Sequence, residues 1–279
     1  MRARLEAILG PALLAAAMLL LAPPVSAADP AKPPAPAQPE APSATGVDER
    51  AVALIKGMGA FLKAQPRFSF TVDQSFDVVQ EDGEKLEFGG TRTYTVMRPD
   101  HLRIDEDSRD KSSRTLYFDG KQMALSIPGD KAYALAKLKQ PRDLDTTLTL
   151  AHENLDIQVP LANLLRSDPT KDILENLDSA YLVGLEKLGT VECQHIALET
   201  DEVDAQLWIA TGERPLVQRV LIEYRELEGQ PRYTAQFSNW SITPDVTAST
   251  FSFTPPEGAE RVRFKVHGRD VQPAEEPKP

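Results

Sequence analysis

The residues best able to do chemistry in this chain are few and scattered. Cys193 and His195 stand two apart, so on a strand they share a face, which is half of a metal or thiol site. A zinc centre needs a third and fourth ligand at recognisable spacing, and His101, His152 and His267 lie far away with none. The pair therefore reads as structural packing. As the single cysteine of the chain, Cys193 makes no intramolecular disulfide and reads as a small buried hydrophobe beside Ile196, Ala197 and Leu198. Asp105-Glu106-Asp107 and Glu199-Thr200-Asp201-Glu202 are carboxylate clusters, but neither has the glycine-pivoted alternation of a calcium loop. Both are read as solvated turns. No nucleophile elbow, phosphate loop, paired metal ligands or dinucleotide fingerprint occurs. No catalytic residue, cofactor or metal is therefore expected.

What the chain does have in quantity is apolar side chains at alternate positions. Phe68, Phe70, Val72, Phe76 and Val78 fall on one face of a segment whose other face is Ser69, Thr71, Asp73, Ser75 and Asp77. That is the pattern of a half-buried antiparallel strand. Phe88, Tyr94, Ile104, Phe118 and Leu125 continue the pattern in the strands that follow, and Trp208 alternates with Leu207 and Ile209 further on. In a closed small barrel such residues pack against one another. In a wide open one they line a hollow, so Phe70, Val72, Phe88, Tyr94, Ile104, Phe118, Leu125 and Trp208 are the candidate ligand-binding residues. For Trp208 alone, a place in the core competes with a place in the cavity wall.

The elements that would position these residues can be read along the chain. Residues 1–27 have the three parts of a secretory signal: Arg2 and Arg4, an apolar run from Ala7 to Leu21, and small residues Val25-Ser26-Ala27 before Ala28. The apolar run is shorter than the ~20 residues a membrane-spanning helix needs, so after cleavage no integral membrane segment is expected. Residues 28–47 are a Pro/Ala-rich linker expected to be disordered; residues 272–279 are a second loose tail. Between them, residues 48–271 form one domain. Asp48 to Ala64 has helical spacing and ends at Gln65-Pro66. A meander of strands follows, with Gly89-Gly90 marking a bulge or sharp bend and Asp119-Gly120 a tight hairpin. From Asp143 to Leu177 the sequence is leucine-rich and helical in character, with Asp168-Pro169 as the start of its last helix. Strands then resume from Tyr181, and Phe251 and Phe253 close the series. Roughly ten strands are too many to stay flat. The fold class is mainly β (α+β): a curved antiparallel sheet forming an unclosed half-barrel, with helices covering the concave face.

The second half of the chain also resembles a known family. Gly189-Thr190-Val191-Glu192-Cys193-Gln194-His195-Ile196-Ala197, Val203-Asp204-Ala205-Gln206-Leu207-Trp208-Ile209, Pro215-Leu216 and Ile222-Glu223-Tyr224 carry the resemblance. So do Tyr233-Thr234-Ala235, Trp240, the run from Phe251 to Ala259 and, in the first half, Phe118-Asp119-Gly120-Lys121. In order, they are similar to the DUF2092 family of predicted periplasmic proteins. That family is similar in turn to the LolA-like lipoprotein-carrier fold, an unclosed barrel with helices over its concave side. The resemblance implies a periplasmic location in a Gram-negative envelope. Ala205 departs from the aromatic residue expected at its place, which either widens the interior or is neutral.

The formal charge of −11 argues against nucleic acid as a partner and against anionic lipid headgroups. The expected function is non-catalytic: a periplasmic protein binding a lipid, a lipoprotein acyl group or another apolar ligand in the half-barrel, with a Leu-rich lid. The alternative is an envelope protein–protein interaction module whose cavity is filled by its own helices.

Overall fold

The computed structural model describes residues 46–155, 157–264 and 271–273. The expected signal peptide, the linker up to residue 45 and the last six residues lie outside them. The domain opens where residues 46–48 meet a strand, Val47 forming a parallel bridge with Ala180. Asp48 then caps helix α1 (Glu49–Lys63), its Oδ1 accepting from the Arg50 amide at 2.8 Å. Ala51, Ile55, Met58 and Leu62 recur at helical spacing and are buried. A side chain on Gly59 would press into Thr170, its Cβ 2.5 Å from the Thr170 Cγ2, so glycine is what lets α1 lie against this loop.

Six strands follow in meander order: β1 (Arg67–Val79), β2 (Lys85–Met97), β3 (His101–Ser108), β4 (Ser113–Asp119), β5 (Gln122–Ile127) and β6 (Ala132–Leu138). Each pairs antiparallel with the next. The β1–β2 register runs unbroken through Gly89 and Gly90, so the glycine pair makes no bulge. A Cβ there would press onto the carbonyl oxygens of Gln74 and Asp107 in the flanking strands. The helical segment then comprises α2 (Leu144–Leu155), α3 (Ala162–Leu165) and α4 (Lys171–Glu175). The last helix starts later than expected. Asp168 Oδ1 accepts from the Thr170 amide at 3.3 Å, a local turn before the helix.

The second strand set is β7 (Leu177–Leu188), β8 (Val191–Thr200), β9 (Val203–Ala210), β10 (Val217–Tyr224) and β11 (Arg232–Ser241). β11 returns to pair with β1, joining the two meanders into one sheet of order β6-β5-β4-β3-β2-β1-β11-β10-β9-β8-β7. Among the described residues no ladder joins β6 to β7, so the barrel is unclosed, as expected.

The end of the chain departs from the expectation. Phe251 and Phe253 do not form a strand; Ala248–Phe251 is a 3-10 turn with Phe251 fully buried. Phe251 meets the His101 ring edge-on at 5.2 Å, and Phe253 sits between Tyr117 and Tyr133 at 5.4 and 5.5 Å. These partners project from the convex face, so the arm packs outside the sheet. It ends in β12 (Glu260–Val262), parallel to β6, with β13 (Val271–Pro273) antiparallel on the same strand. The parallel pair makes the sheet mixed at this edge, and β13 extends two residues into the segment expected as a tail.

Candidate functional site

Strand alternation sends Leu198 of β8, Ala205 and Leu207 of β9, Val220 and Ile222 of β10 and Tyr233 of β11 to the concave face. Opposite them lie Met58 of α1, the chain from Val159 to Leu164 and Ile173 of α4. These two walls do not close on each other. They enclose a cavity of about 710 Å³, within the ~300–1,000 Å³ range of small-molecule sites. Its exposed margin is mostly polar, with Gln158, Asp172, Asn176, Asp201 and Glu202 joined by the half-apolar Tyr224. The hollow therefore has an apolar interior and a wet, acidic rim, the arrangement that suits an amphiphile with its chain inside.

Hydrogen bonds hold the helical wall over the sheet. The Tyr94 hydroxyl donates to the Pro160 carbonyl at 3.0 Å, and Arg98 Nη1 donates to the Leu165 carbonyl at 3.0 Å. Within the insert, Arg166 Nη1 donates to the Asp145 carbonyl at 3.0 Å, and Ser167 donates to the Asp145 carboxylate from both its amide and its hydroxyl. Leu161 takes a left-handed conformation (φ 60°) to turn the chain into α3 along the cavity. Tyr233 donates its hydroxyl to Gln74 Oε1 at 2.9 Å, and burial pushes its phenol far up, so it lines the wall as a neutral group.

Beside the cavity the concave face holds an ion-pair chain. Arg92 Nη2 lies 3.1 Å from Glu106, and Arg114 donates to both Glu106 oxygens at 2.8 and 2.9 Å. The Arg92 and Glu106 side chains are only 10 and 12 % exposed. Burial opposes the charge of Glu106, but the hydrogen bonds from Arg114 and the charge of Arg92 outweigh it and hold the carboxyl below its ordinary range. This corrects the reading of Asp105-Glu106-Asp107 as a solvated turn: all three lie on β3, Glu106 facing inward and Asp105 pairing with Arg103. Glu199 and Thr200 likewise end a strand, while Asp201 and Glu202 do occupy a turn, at the cavity rim.

The eight residues singled out from the sequence are spread widely. Phe70, Val72, Tyr94, Ile104 and Phe118 face the concave side and are buried in one core cluster with Leu148, Leu155 and Leu165 of the helical insert. Leu125 packs against the same cluster, half-buried. Phe88 has the concave phase but lies beyond the helices, exposed and stacked on Phe76 at 6.2 Å. Trp208 points to the convex face, where it stacks on His195 at 4.1 Å and donates to Glu186 at 2.8 Å. None of the eight lines the 710 Å³ cavity. The lining residues carry the same alternation signal, in β8 to β11, where Ala205 sits on the cavity floor.

Cys193 and His195 share the convex face. His195 Nδ1 contacts Glu186 at 2.8 Å and its Nε2 contacts Gln206 at 3.0 Å, so the imidazole is committed on both sides. Burial, followed by the nearby charges of Glu186 and Glu192, pushes the Cys193 thiol up and leaves little thiolate. Among the described residues no group of three His, Cys, Asp or Glu is placed to hold a metal ion. No helix among them is long and apolar enough to cross a membrane.

Comparison with known proteins gives the family. The model of the DUF2092 family, described as predicted periplasmic protein, matches residues 51–265, which is most of the chain. The chain belongs to the DUF2092 family. No curated protein matches its sequence. Among solved structures, the DUF2092 chain is similar to LprF from Mycobacterium bovis (13 % identity, 77 % of this chain and 100 % of that one, TM-score 0.45). It is similar to the Mycobacterium tuberculosis lipoprotein LppX (13 %, 72 % and 100 %, 0.44) and to a LolA superfamily protein from Nitrosomonas europaea (10 %, 73 % and 97 %, 0.37). Values of this size mark a distant resemblance. The periplasmic location expected from the sequence agrees with the family's description.

Proposed function

We propose that this DUF2092 protein is a container: it binds the apolar chain of a lipid or lipidated molecule in the covered part of its half-barrel and performs no chemistry on it. One observation carries the reading, namely the 710 Å³ cavity between the apolar face of β8–β11 and the helical insert. The gain on binding is the removal of chain methylenes from water, about 0.8 kcal/mol for each CH₂ buried. The lining groups support storage over catalysis. Its titratable members are Asp172, Asp201, Glu202, Tyr224 and Tyr233, and they include no nucleophile with a base to activate it.

The competing interaction-module reading requires an interior filled by the protein's own helices. Over the part of β1 to β4 that holds Phe70, Tyr94 and Phe118 the trough is filled in this way, since all three are 0 % exposed. Over β8 to β11 it is not, and this open half favours the container. Titration with an environment-sensitive single-chain fatty-acid probe tests the proposal. Saturable uptake with a blue-shifted emission at about one probe per protein is expected; no uptake above that of an unrelated acidic protein would overturn it.

A further inference from the structure

The floor of the cavity does not stop where the helical cover stops. Across the sheet, register pairs Leu198 with Ala205, Ala205 with Ile222, Ile222 with Tyr233, Tyr233 with Phe76 and Phe76 with Phe88. Directly opposed side chains on one face are neighbours at about 5 Å. These six therefore form one apolar row on the concave face. The first four line the cavity. The last two lie in the open, Phe76 41 % and Phe88 48 % exposed, stacked on each other with Leu86 beside them at 39 %. Among the described residues, nothing packs over these two neighbouring inward-facing phenylalanines to account for them.

We infer that Phe76 and Phe88 form an open shelf continuous with the cavity, and that its occupant is a second apolar chain of the same ligand. This inference rests on the container reading and narrows it: the ligand is an amphiphile with more than one chain, one under the helical cover and another along the shelf. Two features favour a ligand chain over other occupants. The shelf is the lateral continuation of the cavity floor in the hydrogen-bonded ladder, so one molecule can touch both. It also lies inside the curve of the sheet on a chain of net charge −11, which is unfavourable for docking on a flat, anionic bilayer.

The test compares wild type with Phe76→Ser/Phe88→Ser and Phe76→Leu/Phe88→Leu, each first shown to keep the native circular dichroism spectrum. Every form is titrated with a fluorescent single-chain fatty acid and with a fluorescent two-chain phosphatidylethanolamine in detergent. The ratio of two-chain to single-chain affinity is expected to fall about tenfold or more in the serine variant and to recover in the leucine variant. An unchanged ratio would overturn the shelf while leaving the container intact. Failure of wild type to bind either probe would overturn the container and the shelf together. If the serine variant kept its ratio but no longer sedimented with phosphatidylethanolamine/phosphatidylglycerol vesicles, the occupant would be a bilayer and the inference wrong. A shift in sedimentation coefficient at unchanged ratio would make the occupant a second copy of the chain and would equally overturn the inference.

Discussion

Replacing Glu106 by glutamine is expected to destabilise the domain by about 3 kcal/mol, the scale measured when one partner of a buried ion pair is removed. For a domain of this size that is a fall in Tm of about 6–12 °C. The reason lies in what the substitution leaves behind. Arg114 is half exposed and can turn its guanidinium to water, but the Arg92 side chain is 10 % exposed and cannot. Its Nε already lacks a hydrogen-bond partner among the described residues, so loss of the Glu106 charge strands a buried cation. Replacing both members, as in Arg92→Met/Glu106→Leu, is expected to recover most of the loss. The pH dependence follows from the depressed Glu106 carboxyl. Its contribution is fully present above the ordinary carboxylate value of about 4.3 and is lost as pH falls through the lower folded value. Urea denaturation between neutral and acid pH should show wild type losing this stability and Glu106→Gln missing that part of the slope. Equal stability of wild type and Glu106→Gln at neutral pH would contradict this account of the concave face.

Replacing Ala205 by tryptophan is expected to reduce uptake of a single-chain probe by more than tenfold with little change in Tm. Ala205 stands between Leu198 and Ile222 on the cavity floor and is 7 % exposed, so a larger side chain has the hollow as its outlet. Displacing only three methylenes of a bound chain already costs about 2.4 kcal/mol, which exceeds a tenfold loss. Overpacking strain, typically about 1–3 kcal/mol in a filled core, should be small because the space is open. The signature is therefore a split between binding and stability. Lost stability with binding retained would mean that Ala205 faces packed core and that the cavity lies elsewhere.

Much of this architecture is legible in the residues. The Ile55, Met58 and Leu62 spacing marks α1, and the alternation from Phe68 to Val72 gives both the strand and its inward face. What alternation cannot report is where along a strand the helical cover ends. Phe88 and Tyr94 share one phase on β2, yet Tyr94 is 0 % exposed beneath the insert and Phe88 is 48 % exposed beyond it. Trp208 misleads for a different reason: Leu207 and Ile209 on either side are also buried, and a strand buried on both faces loses its polar–apolar alternation. The inward carboxylate of Glu106 is hidden in an acidic triplet, because its partners Arg92 and Arg114 come from neighbouring strands. Phe251 and Phe253 look like strand residues but find their apolar partners on the convex face, through aromatic contacts that only the folded arm creates. The cavity itself is a mismatch between the β8–β11 floor and the helical segment above it. Each wall has a sequence signature, but the gap between them has none.

Native mass spectrometry of the protein purified from the periplasm, followed by lipid extraction of the denatured sample, tests the central claim most directly. A bound mass in the range of fatty acids or phospholipids, released on unfolding and absent from Ala205→Trp, is the predicted result. A clean apo mass, together with no uptake of added fatty-acid probe, would contradict it and leave the half-barrel without a container function.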